Sequence, residues 1–376
     1  MIKTVGILFS NYGPYHIARI ESLQKYHQTY NLNITGIELA RSQEIYPWQA
    51  KIDNLKFPII SAVQANSLEQ TKLTLLIHKL WQILNRINPG FLAISGYFKP
   101  TMLAALLWCK LSNKSAILFS ETTELDAHRI WWKEKIKSWI LRHYKSALVG
   151  GETHKKYLVK LGMPEEAIFL GYDVVNNTTF HPSQISHLDN PLEKPFFLAI
   201  NRFIPKKNLI FLINAYAAYR QQVGTKAWDL VLCGDGRLRG EIEAQINKLN
   251  LQDVVHLPGF LQQAELLPYF AHADCFIHAS TVEQWGLVVN EAMAAGLPVI
   301  VSHRCGCFAD LVIEGINGFG FDPENSQQLV ELMVTMSSEK IDRKAMGQAA
   351  LQHIQKFAPN YFADGLIQAV EYAKNH

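Results

Sequence analysis

The stretch that most constrains the fold of this chain is 275–302, where two apolar runs enclose a charged loop and a short helix-like segment. The runs are Cys275–Ile277 and Val299–Val301, and the sequence between them is HASTVEQWGLVVNEAMAAGLP. This pattern predicts strand, loop, helix and strand, with a helix that starts near Trp285 or Gly286 and ends at Gly296, a residue type favoured just after a helix. The loop should therefore lie at the carboxyl end of a parallel strand, where open α/β sheets bind ligands.

The residues around the predicted helix suit a nucleotide sugar. Glu291 lies one turn after Leu287 on the same helix face, and its carboxylate can accept two hydrogen bonds from a vicinal diol such as a ribose. The first backbone N–H groups, at Gly286, Leu287 and Val288, have no partner inside the helix and can hold a diphosphate. Glu283, in the loop before the helix, can reach hydroxyl groups at the other end of such a ligand.

Two carboxylates beside a diphosphate would repel it, so the site needs cations from another part of the chain. The segment Asn201–Asn208, NRFIPKKN, directly follows the apolar run Phe196–Ile200. It offers Arg202 as a bidentate fork and Lys207 as a point charge. The alternative interpretation is that both are ordinary surface cations.

Glu283 and Glu291, with seven residues between them, resemble the E-x7-E motif of retaining glycosyltransferases of family 4. Arg202 and Lys207 resemble the Arg/Lys pair of that family, and Leu230–Arg239, LVLCGDGRLR, resembles its strand followed by a GDG turn. Further residues resemble the family in the flanks of the motif, in the short strand near the nucleotide base and in the interdomain segment: Gly286, Ala292, Met293, Gly296, Pro298, Val255–Gly259 and Gly171–Phe180.

The resemblance implies a retaining glycosyltransferase that moves a sugar from a nucleoside-diphosphate sugar to a hydroxyl acceptor, with no metal and no cofactor. The acceptor would be a glycan, a lipid-linked saccharide or a small-molecule glycoside. The implied catalytic residues are Arg202, Lys207 and Glu283. The implied donor-binding residues are Gly13, Arg202, Lys207, Gly234, Gly286, Leu287, Val288 and Glu291.

Strands alternate with helices in both halves of the chain, which predicts two parallel-sheet domains. The resemblance makes this the GT-B fold, with two doubly wound, Rossmann-like domains facing a central cleft. We expect an acceptor-side domain over 1–175, completed by a C-terminal helix over 359–376. A linker is predicted over 176–195 because this stretch is polar and rich in turn residues, and a donor-binding domain is predicted over 196–358.

The acceptor side offers three candidate contacts to the acceptor or the donor sugar: His16, Glu121 and His128. Many family 4 enzymes have a histidine after the strand that ends here at Phe119, whereas this chain has Ser120-Glu121-Thr122. The chain therefore departs from the family pattern at that place. Gly13, assigned above to donor binding, is equally compatible with a tight turn between strand and helix.

The segment Ala127–Ser146, AHRIWWKEKIKSWILRHYKS, predicts a basic amphipathic helix with tryptophans. Its apolar face, at helical spacing, consists of Trp132, Ile136, Trp139, Ile140 and His143. Two interpretations remain open. Such a helix can lie on an anionic membrane surface, or its tryptophan face can pack on the sheet of the first domain.

Other functions remain open at this stage. Gly234-Asp235-Gly236 follows a predicted strand as a dinucleotide fingerprint would, which makes an NAD-dependent oxidoreductase an alternative. However, Gly240 falls one position late for G-x-G-x-x-G. A GT-B nucleotide-sugar epimerase and a nonenzymatic sugar-binding protein are two further alternatives.

The net charge, the cysteines and the lengths of the apolar runs indicate which partners and which compartment to expect. The formal net charge of +3 implies no nucleic-acid partner. The five cysteines are an odd number without framework spacing, and three lie in apolar runs, which favours a reducing compartment. The chain has neither a signal-peptide pattern nor a spanning apolar run. We therefore expect a cytoplasmic protein, with peripheral contact on the inner membrane face as an option. His303, Cys305 and Cys307 are spaced too tightly for a standard zinc site.

Overall fold

The computed structural model describes residues 3–42, 55, 57–64 and 67–376. The chain forms two compact units. The first unit comprises Met1–Glu124, His128–Val175 and Ala358–His376, and the second comprises Leu125–Ala127 and Asn176–Phe357.

The first unit contains, within its described residues, a seven-stranded parallel sheet in the order β3-β2-β1-β4-β5-β6-β7. The chain order reverses direction at β1 and β4, as in doubly wound folds, so the carboxyl ends of these strands lie on one edge. The strands are β1 Lys3–Phe9, β2 Leu32–Ala40, β3 Ile59–Val63, β4 Phe91–Ser95, β5 Ser115–Ser120, β6 Ser146–Val149 and β7 Ile168–Leu170.

Helices cover both faces of this sheet, and two buried apolar clusters fill the layers between helices and sheet. The helices up to β7 are α1 Pro14–Leu23, α2 His27–Tyr30, α3 Leu73–Ile87, α4 Pro100–Leu111, α5 Trp131–Leu141 and α6 Glu152–Lys160.

The second unit contains a six-stranded parallel sheet in the order β10-β9-β8-β11-β12-β13. Strands β8 and β11 are neighbours although they are far apart in the chain, so the loops that follow them meet at one sheet edge. The strands are β8 Phe196–Ile200, β9 Asp229–Cys233, β10 Val255–Gly259, β11 Cys275–His278, β12 Val299–Ser302 and β13 Gly318–Phe321.

The helices of the second unit pack around this sheet. They are α7 Asn177–Phe180, α8 Pro182–Ile185, α9 Leu209–Val223, α10 Arg239–Lys248, α11 Gln263–His272, α12 Leu287–Ala294, α13 Phe308–Leu311, α14 Ser326–Ser337 and α15 Arg343–Ile354. The last helix of the chain, α16 Pro359–Asn375, belongs to the first unit.

The stretch 176–195, predicted as a linker, is folded in the structure. It contains the one-turn helices α7 and α8 and lies in the second unit. Phe180 and Ile185 are buried, and the side-chain amide of Asn177 donates to the carbonyl of Ile354 at 2.8 Å. The turn residues that suggested a linker thus separate apolar anchors that pack against the second unit.

The tryptophan face predicted over Ala127–Ser146 does not pack on the sheet. Helix α5 is present, but Trp132, Ile136 and Trp139 are exposed to solvent. The interpretation in which this face covers the sheet is therefore wrong. The residues that anchor α5 are Lys137 and Leu141, which are buried.

Candidate active site

The loop after β11 carries Glu283 and is held by a second loop. Glu283 forms a parallel bridge with Cys305, and the N–H of Gly306 donates to the Glu283 carbonyl at 3.0 Å. One step further on, the N–H of Cys307 donates to the carbonyl of Trp285 at 3.2 Å. The loop after β12 therefore fixes the backbone on both sides of Gln284, and with it the position of the Glu283 carboxylate.

The Glu283 carboxylate gathers four polar side chains, and together we call these residues the Glu283 cluster. Lys206 Nζ lies 3.2 Å from Oε1, and Lys207 Nζ contacts Oε2. His278 Nε2 lies 3.6 Å from Oε2, and the Ser280 hydroxyl donates to Oε2 at 3.4 Å. Two loops, one after β8 and one after β11, thus bring an anion and two cations into direct contact.

Burial and charge oppose each other in the Glu283 cluster. Burial alone would raise the pKa of Glu283, but the hydrogen bond from His278 and the charges of Lys207 and Lys206 outweigh it and hold this pKa well below its usual range. Burial lowers the pKa of His278, and the charge of Lys207 lowers it further. Burial also lowers the pKa of Lys207, against the attraction of Glu283. At neutral pH Glu283 is therefore an anion and His278 is neutral.

The two lysines are positioned by a short 3-10 turn, Pro205–Lys207, just after β8. Asn208 ends this turn with a φ of 59°, a left-handed conformation that asparagine tolerates. The carbonyl of Lys206 accepts the N–H of Thr281 at 2.9 Å, which ties the turn to the loop after β11. The loop NRFIPKKN therefore lies beside the loop that carries Glu283.

Arg202 and Gly234 lie on the two loops next to this turn. Arg202 is exposed, four positions before Lys206. Gly234 has a φ of 131°, and a Cβ there would lie 1.8 Å from the carbonyl oxygen of Asn201. The N–H of Asn201 donates to the carbonyl of Cys233 at 2.9 Å. The loop after β9 therefore requires a glycine at position 234 to pack against the loop that carries Arg202. This structural requirement is independent of the donor-binding role expected for Gly234.

Helix α12 begins and ends as predicted. Gly286, with a φ of 108°, stands just before Leu287, and no side chain caps the first turn. The N–H groups of Leu287 and Val288 therefore start the helix at the end of the Glu283 loop, in the place where an anion is favoured. Glu291 lies on the second turn and is 3% exposed. Gly296 has a φ of 76° and terminates the helix.

In the first unit, Gly13 and His16 form a helix cap. The N–H of Gly13 donates to Nδ1 of His16 at 3.1 Å, and the imidazole packs 4.1 Å from the ring of Phe9. Burial, and then the charge of Arg19, lower the pKa of His16 to about 3. A neutral ring keeps Nδ1 as an acceptor, so the structure uses His16 to start α1.

Glu121 lies beside a buried ion pair, whereas His128 is exposed. Arg19 Nη2 lies 3.3 Å from Oδ1 of Asp173, and both side chains are 1% exposed. Burial raises the pKa of Asp173, and the neighbouring charge of Glu121 raises it further, against the attraction of Arg19. Of the three candidate acceptor contacts, two are thus embedded in structural hydrogen-bond and charge networks.

The sequence His303-Arg304-Cys305-Gly306-Cys307 supports the Glu283 loop. Cys305 and Cys307 are buried thiols, and burial raises the pKa of each. His303 packs edge-on against Phe308 at 4.6 Å. Within residues 3–42, 55, 57–64 and 67–376, no group of three or more His, Cys, Asp or Glu residues is placed to hold a metal ion.

Three members of the Glu283 cluster were not predicted from the sequence: Lys206, His278 and Ser280. The sequence did hold a signal for them, since His278 ends the run CFIH, Ser280 follows two residues later and Lys206 directly precedes Lys207. What the sequence lacked was the adjacency of β8 and β11, which turns two separate loops into one site.

Known proteins resemble this chain in its second half most clearly. Residues 182–353 match the family model described as "Glycosyl transferases group 1". The amylovoran biosynthesis glycosyltransferase AmsK of Erwinia amylovora is 28% identical over 191 residues, which are 49% of this chain and 46% of that protein. The match thus spans less than half of this curated relative. The family model and this relative are both described as glycosyltransferases.

Solved structures match over the whole chain. A glycosyltransferase from Rickettsia africae superposes with a TM-score of 0.76 at 17% identity, covering 100% of both chains. Anabaena HepE, solved in complex with UDP and glucose, superposes with a TM-score of 0.76 at 18% identity, covering 98% of this chain and 99% of that one. Together with the two parallel sheets, these matches confirm the GT-B fold. No helix among the described residues is long and apolar enough to cross a membrane.

Proposed function

We propose that this chain is a retaining glycosyltransferase of the family 4 type, which moves a sugar from a nucleoside-diphosphate sugar to a hydroxyl group of an acceptor. The observation that carries this proposal is the Glu283 cluster, in which Lys206 and Lys207 meet Glu283 directly before the uncapped start of α12. A glycan, a lipid-linked saccharide or a small-molecule glycoside would supply the hydroxyl group.

Different residues of the site bind different parts of the donor. Lys207, Arg202 and the N–H groups of Leu287 and Val288 hold the diphosphate, because cations and a helix N-terminus both favour an anion. Glu291, one turn further along α12, accepts the ribose hydroxyls. Glu283 contacts the hydroxyls of the transferred sugar, and its ion pairs keep its carboxylate in the charged, accepting form.

The same groups favour the transition state. The bond between the anomeric carbon and the diphosphate oxygen breaks, and the acceptor oxygen bonds to the anomeric carbon on the face that the diphosphate leaves. The acceptor proton passes to the departing diphosphate. Negative charge grows on the diphosphate oxygen during this step, so a fixed ammonium group such as that of Lys207 stabilises the transition state more than the ground state. No protein nucleophile, metal or cofactor enters this scheme.

The relatives support the donor assignment. HepE, which shares the fold, is described as bound to UDP and glucose, and AmsK is described as a glycosyltransferase. We further propose a cytoplasmic protein, because its cysteines are all free and buried among the described residues, as in a reducing compartment.

The test is an assay of donor turnover with stereochemical readout. The purified protein would be incubated with UDP-, GDP- and ADP-sugars, with and without simple glycoside acceptors, and the anomeric configuration of each product read by NMR. We expect one donor class to be consumed and the product to keep the donor's anomeric configuration. Inversion at the anomeric carbon would refute the retaining mechanism.

The alternative functions give different products in the same assay. An epimerase would yield a new nucleotide sugar without any acceptor, and an oxidoreductase would reduce NAD added to the same mixture. A nonenzymatic sugar-binding protein would leave every donor intact, whereas slow donor hydrolysis by the wild type, lost in Glu283→Gln, would count against it. Lys226→Gln, an exposed change outside the site, is the matched control and should leave turnover unchanged.

A further inference from the structure

Helix α5 presents large apolar side chains to solvent over three turns. Trp131 is 76% exposed, Trp132 48%, Ile136 50% and Trp139 61%. Three of the eight tryptophans of the chain therefore lie on the outer side of one eleven-residue helix. Single exposed apolar residues are common on protein surfaces, but a contiguous apolar patch of this kind indicates a surface that binds another protein or a membrane.

The orientation of α5 is fixed from its inner side. Lys137 is buried, and its Nζ lies 2.7 Å from Oε1 of Glu134 and donates to the hydroxyl of Tyr157 at 2.8 Å. Leu141 is 2% exposed and belongs to the apolar core of the first unit. Rotating the tryptophans inward would break this buried ion pair and expose Leu141. The exposure of the tryptophans is thus a consequence of how the helix is anchored.

The exposed surface is strongly basic. Ala127–Ser146 contains six Lys or Arg residues and one Glu, so its formal charge of +5 exceeds the +3 of the whole chain. Lys133, Lys135 and Arg142 are exposed among or beside the aromatic residues, and Lys133 Nζ lies 5.5 Å from the ring centre of Trp132. The remainder of the chain carries a net charge of −2, so the positive charge is a property of this segment.

Neighbouring residues of the first unit extend the apolar surface. Phe98 is 54% exposed and lies 5.5 Å from Lys137 Nζ, which links it to α5. On α4, Leu107 is 48% and Leu111 68% exposed. Because α4 and α5 connect three successive parallel strands that run in one direction across the sheet, right-handed crossovers place both helices on the same sheet face.

We propose that this surface docks the protein onto an anionic lipid bilayer. We call it the α5 surface and define it by Trp131, Trp132, Lys133, Lys135, Ile136 and Trp139. Tryptophan rings, with an apolar body and a polar N–H, favour the boundary between headgroups and acyl chains. The interleaved lysines pair with anionic headgroups, each strengthening binding about five-fold.

Charge favours a bilayer over a second copy of the chain. Two copies meeting through α5 would bring two segments of charge +5 together, and like charges in direct contact repel. An anionic bilayer instead offers a field of negative charge over a flat apolar layer, which matches both properties of the α5 surface.

The experiment is co-sedimentation of the full-length protein with vesicles of phosphatidylcholine alone, or of phosphatidylcholine mixed with phosphatidylglycerol. We expect binding to the mixed vesicles, at least about ten-fold weaker binding to phosphatidylcholine, and loss of affinity with added salt. Brominated lipids should quench the tryptophan fluorescence of the bound protein, because bromine in the acyl chains lies at the depth expected for these rings.

Two pairs of variants separate the apolar from the electrostatic part. Replacing Trp131, Trp132 and Trp139 by serine should reduce vesicle binding at least about ten-fold and remove the quenching, whereas Ile313→Ser with Ile316→Ser, both exposed in the second unit, should not. Lys133→Glu with Lys135→Glu should reduce binding to the mixed vesicles about 25-fold or more. Lys340→Glu with Lys344→Glu, exposed elsewhere, is the matched charge control.

These changes lie on exposed side chains, so thermal unfolding should show that each variant folds like the wild type. Equal binding of the wild type to both vesicle types, no binding to either, or binding that the α5 variants leave unchanged would overturn the proposal. A dimer in light scattering that the tryptophan changes dissolve, without vesicle binding, would also overturn it and assign the surface to a second copy of the chain.

Discussion

The two units use the polar residues at their strand ends in different ways. In the second unit, the loops that follow two neighbouring strands bring Lys206 and Lys207 into contact with Glu283, just before the start of α12. In the first unit, His16 caps its own helix and Glu121 lies beside a buried ion pair. Polar residues that follow strands thus form ion pairs between loops in the second unit. In the first unit they cap a helix or lie beside a buried ion pair.

This difference indicates where substrate chemistry can be recognised from a single chain. A donor with a diphosphate requires fixed cations and a helix N-terminus, and these leave a pattern of charges near glycine turns. A polar residue after a strand without that pattern, such as His16, is more often engaged by the protein itself. Substitutions in both units can test whether this contrast holds in function.

The largest effect is expected from Lys207→Ala. Lys207 contacts Glu283. In the proposed mechanism it stabilises charge on the departing diphosphate, so its loss should lower kcat by about 100-fold or more. Steady-state kinetics with the donor class found to bind would measure this. Lys248→Ala, an exposed change on α10, should leave kcat unchanged, and an equally unaffected Lys207→Ala would remove Lys207 from the mechanism.

A smaller and more selective effect is expected from Glu291→Gln. The change is nearly isosteric at a site that is 3% exposed, and it removes the carboxylate that we propose as the acceptor for the ribose hydroxyls. Donor affinity should fall about ten-fold, since hydrogen bonds to charged groups contribute about 1.5–3 kcal/mol. Calorimetric titration of donor, and kinetics with varied acceptor, would separate the two substrates. Equal weakening of both would contradict the ribose assignment.

In the first unit, the titration of His16 should change the stability of the fold and not the rate of catalysis. A histidine in the unfolded chain has a pKa near 6.5. In the folded chain, burial and the charge of Arg19 lower the pKa of His16 to about 3. As the pH falls from about 6.5 towards 3, the unfolded chain takes up a proton that the folded chain does not, so the folded state loses stability, by at most about 1.4 kcal/mol per pH unit. Above pH 6.5 this loss is absent.

His16→Asn tests that role, because asparagine can accept the Gly13 N–H without titrating. Chemical unfolding at pH 7.5 and pH 5 should show a smaller loss of the free energy of unfolding in the variant than in the wild type. If His16→Asn instead lowered kcat strongly at unchanged stability, His16 would be a substrate contact and the contrast between the units would fail.

The smallest effect is expected from His128→Ala. The residue is exposed, so its removal should change neither stability nor kcat/KM beyond about two-fold. A large fall in kcat/KM at unchanged donor affinity would identify His128 as an acceptor contact, and the first unit would then contribute to the chemistry after all.

The sequence predicted the bounds of α12 well because glycines determine them. Gly286 and Gly296 adopt the positive φ values that start and stop α12, and residues with this freedom can be recognised without a structure. Nine apolar runs of the sequence predict strands, and all nine are strands in the structure. They are Val5–Phe9, Phe91–Ile94, Ala116–Phe119, Ala147–Val149, Phe196–Ile200, Leu230–Cys233, Val254–Leu257, Cys275–Ile277 and Val299–Val301. Four strands, β2, β3, β7 and β13, were missed because they are interrupted by polar residues or glycine, lie outside the strongest runs or are very short.

Other features required the three-dimensional structure. The sequence could not show that β8 and β11 are neighbours, and this adjacency adds Lys206 to the site. Nor could it choose between the two faces of α5, because the deciding group is Lys137, whose burial depends on Glu134 and Tyr157. A lysine at that position would ordinarily be assigned to the solvent side.

We propose that the loops after β8 and β11 receive a nucleoside diphosphate. This proposal is tested most directly by thermal unfolding of the wild type, Arg202→Ala and Lys207→Ala with UDP, GDP, ADP and NAD, and with the corresponding nucleotide sugars. We predict that one nucleoside-diphosphate class raises the Tm of the wild type and that both variants lose this shift. A shift with NAD alone, or one that both variants retain, would contradict the account.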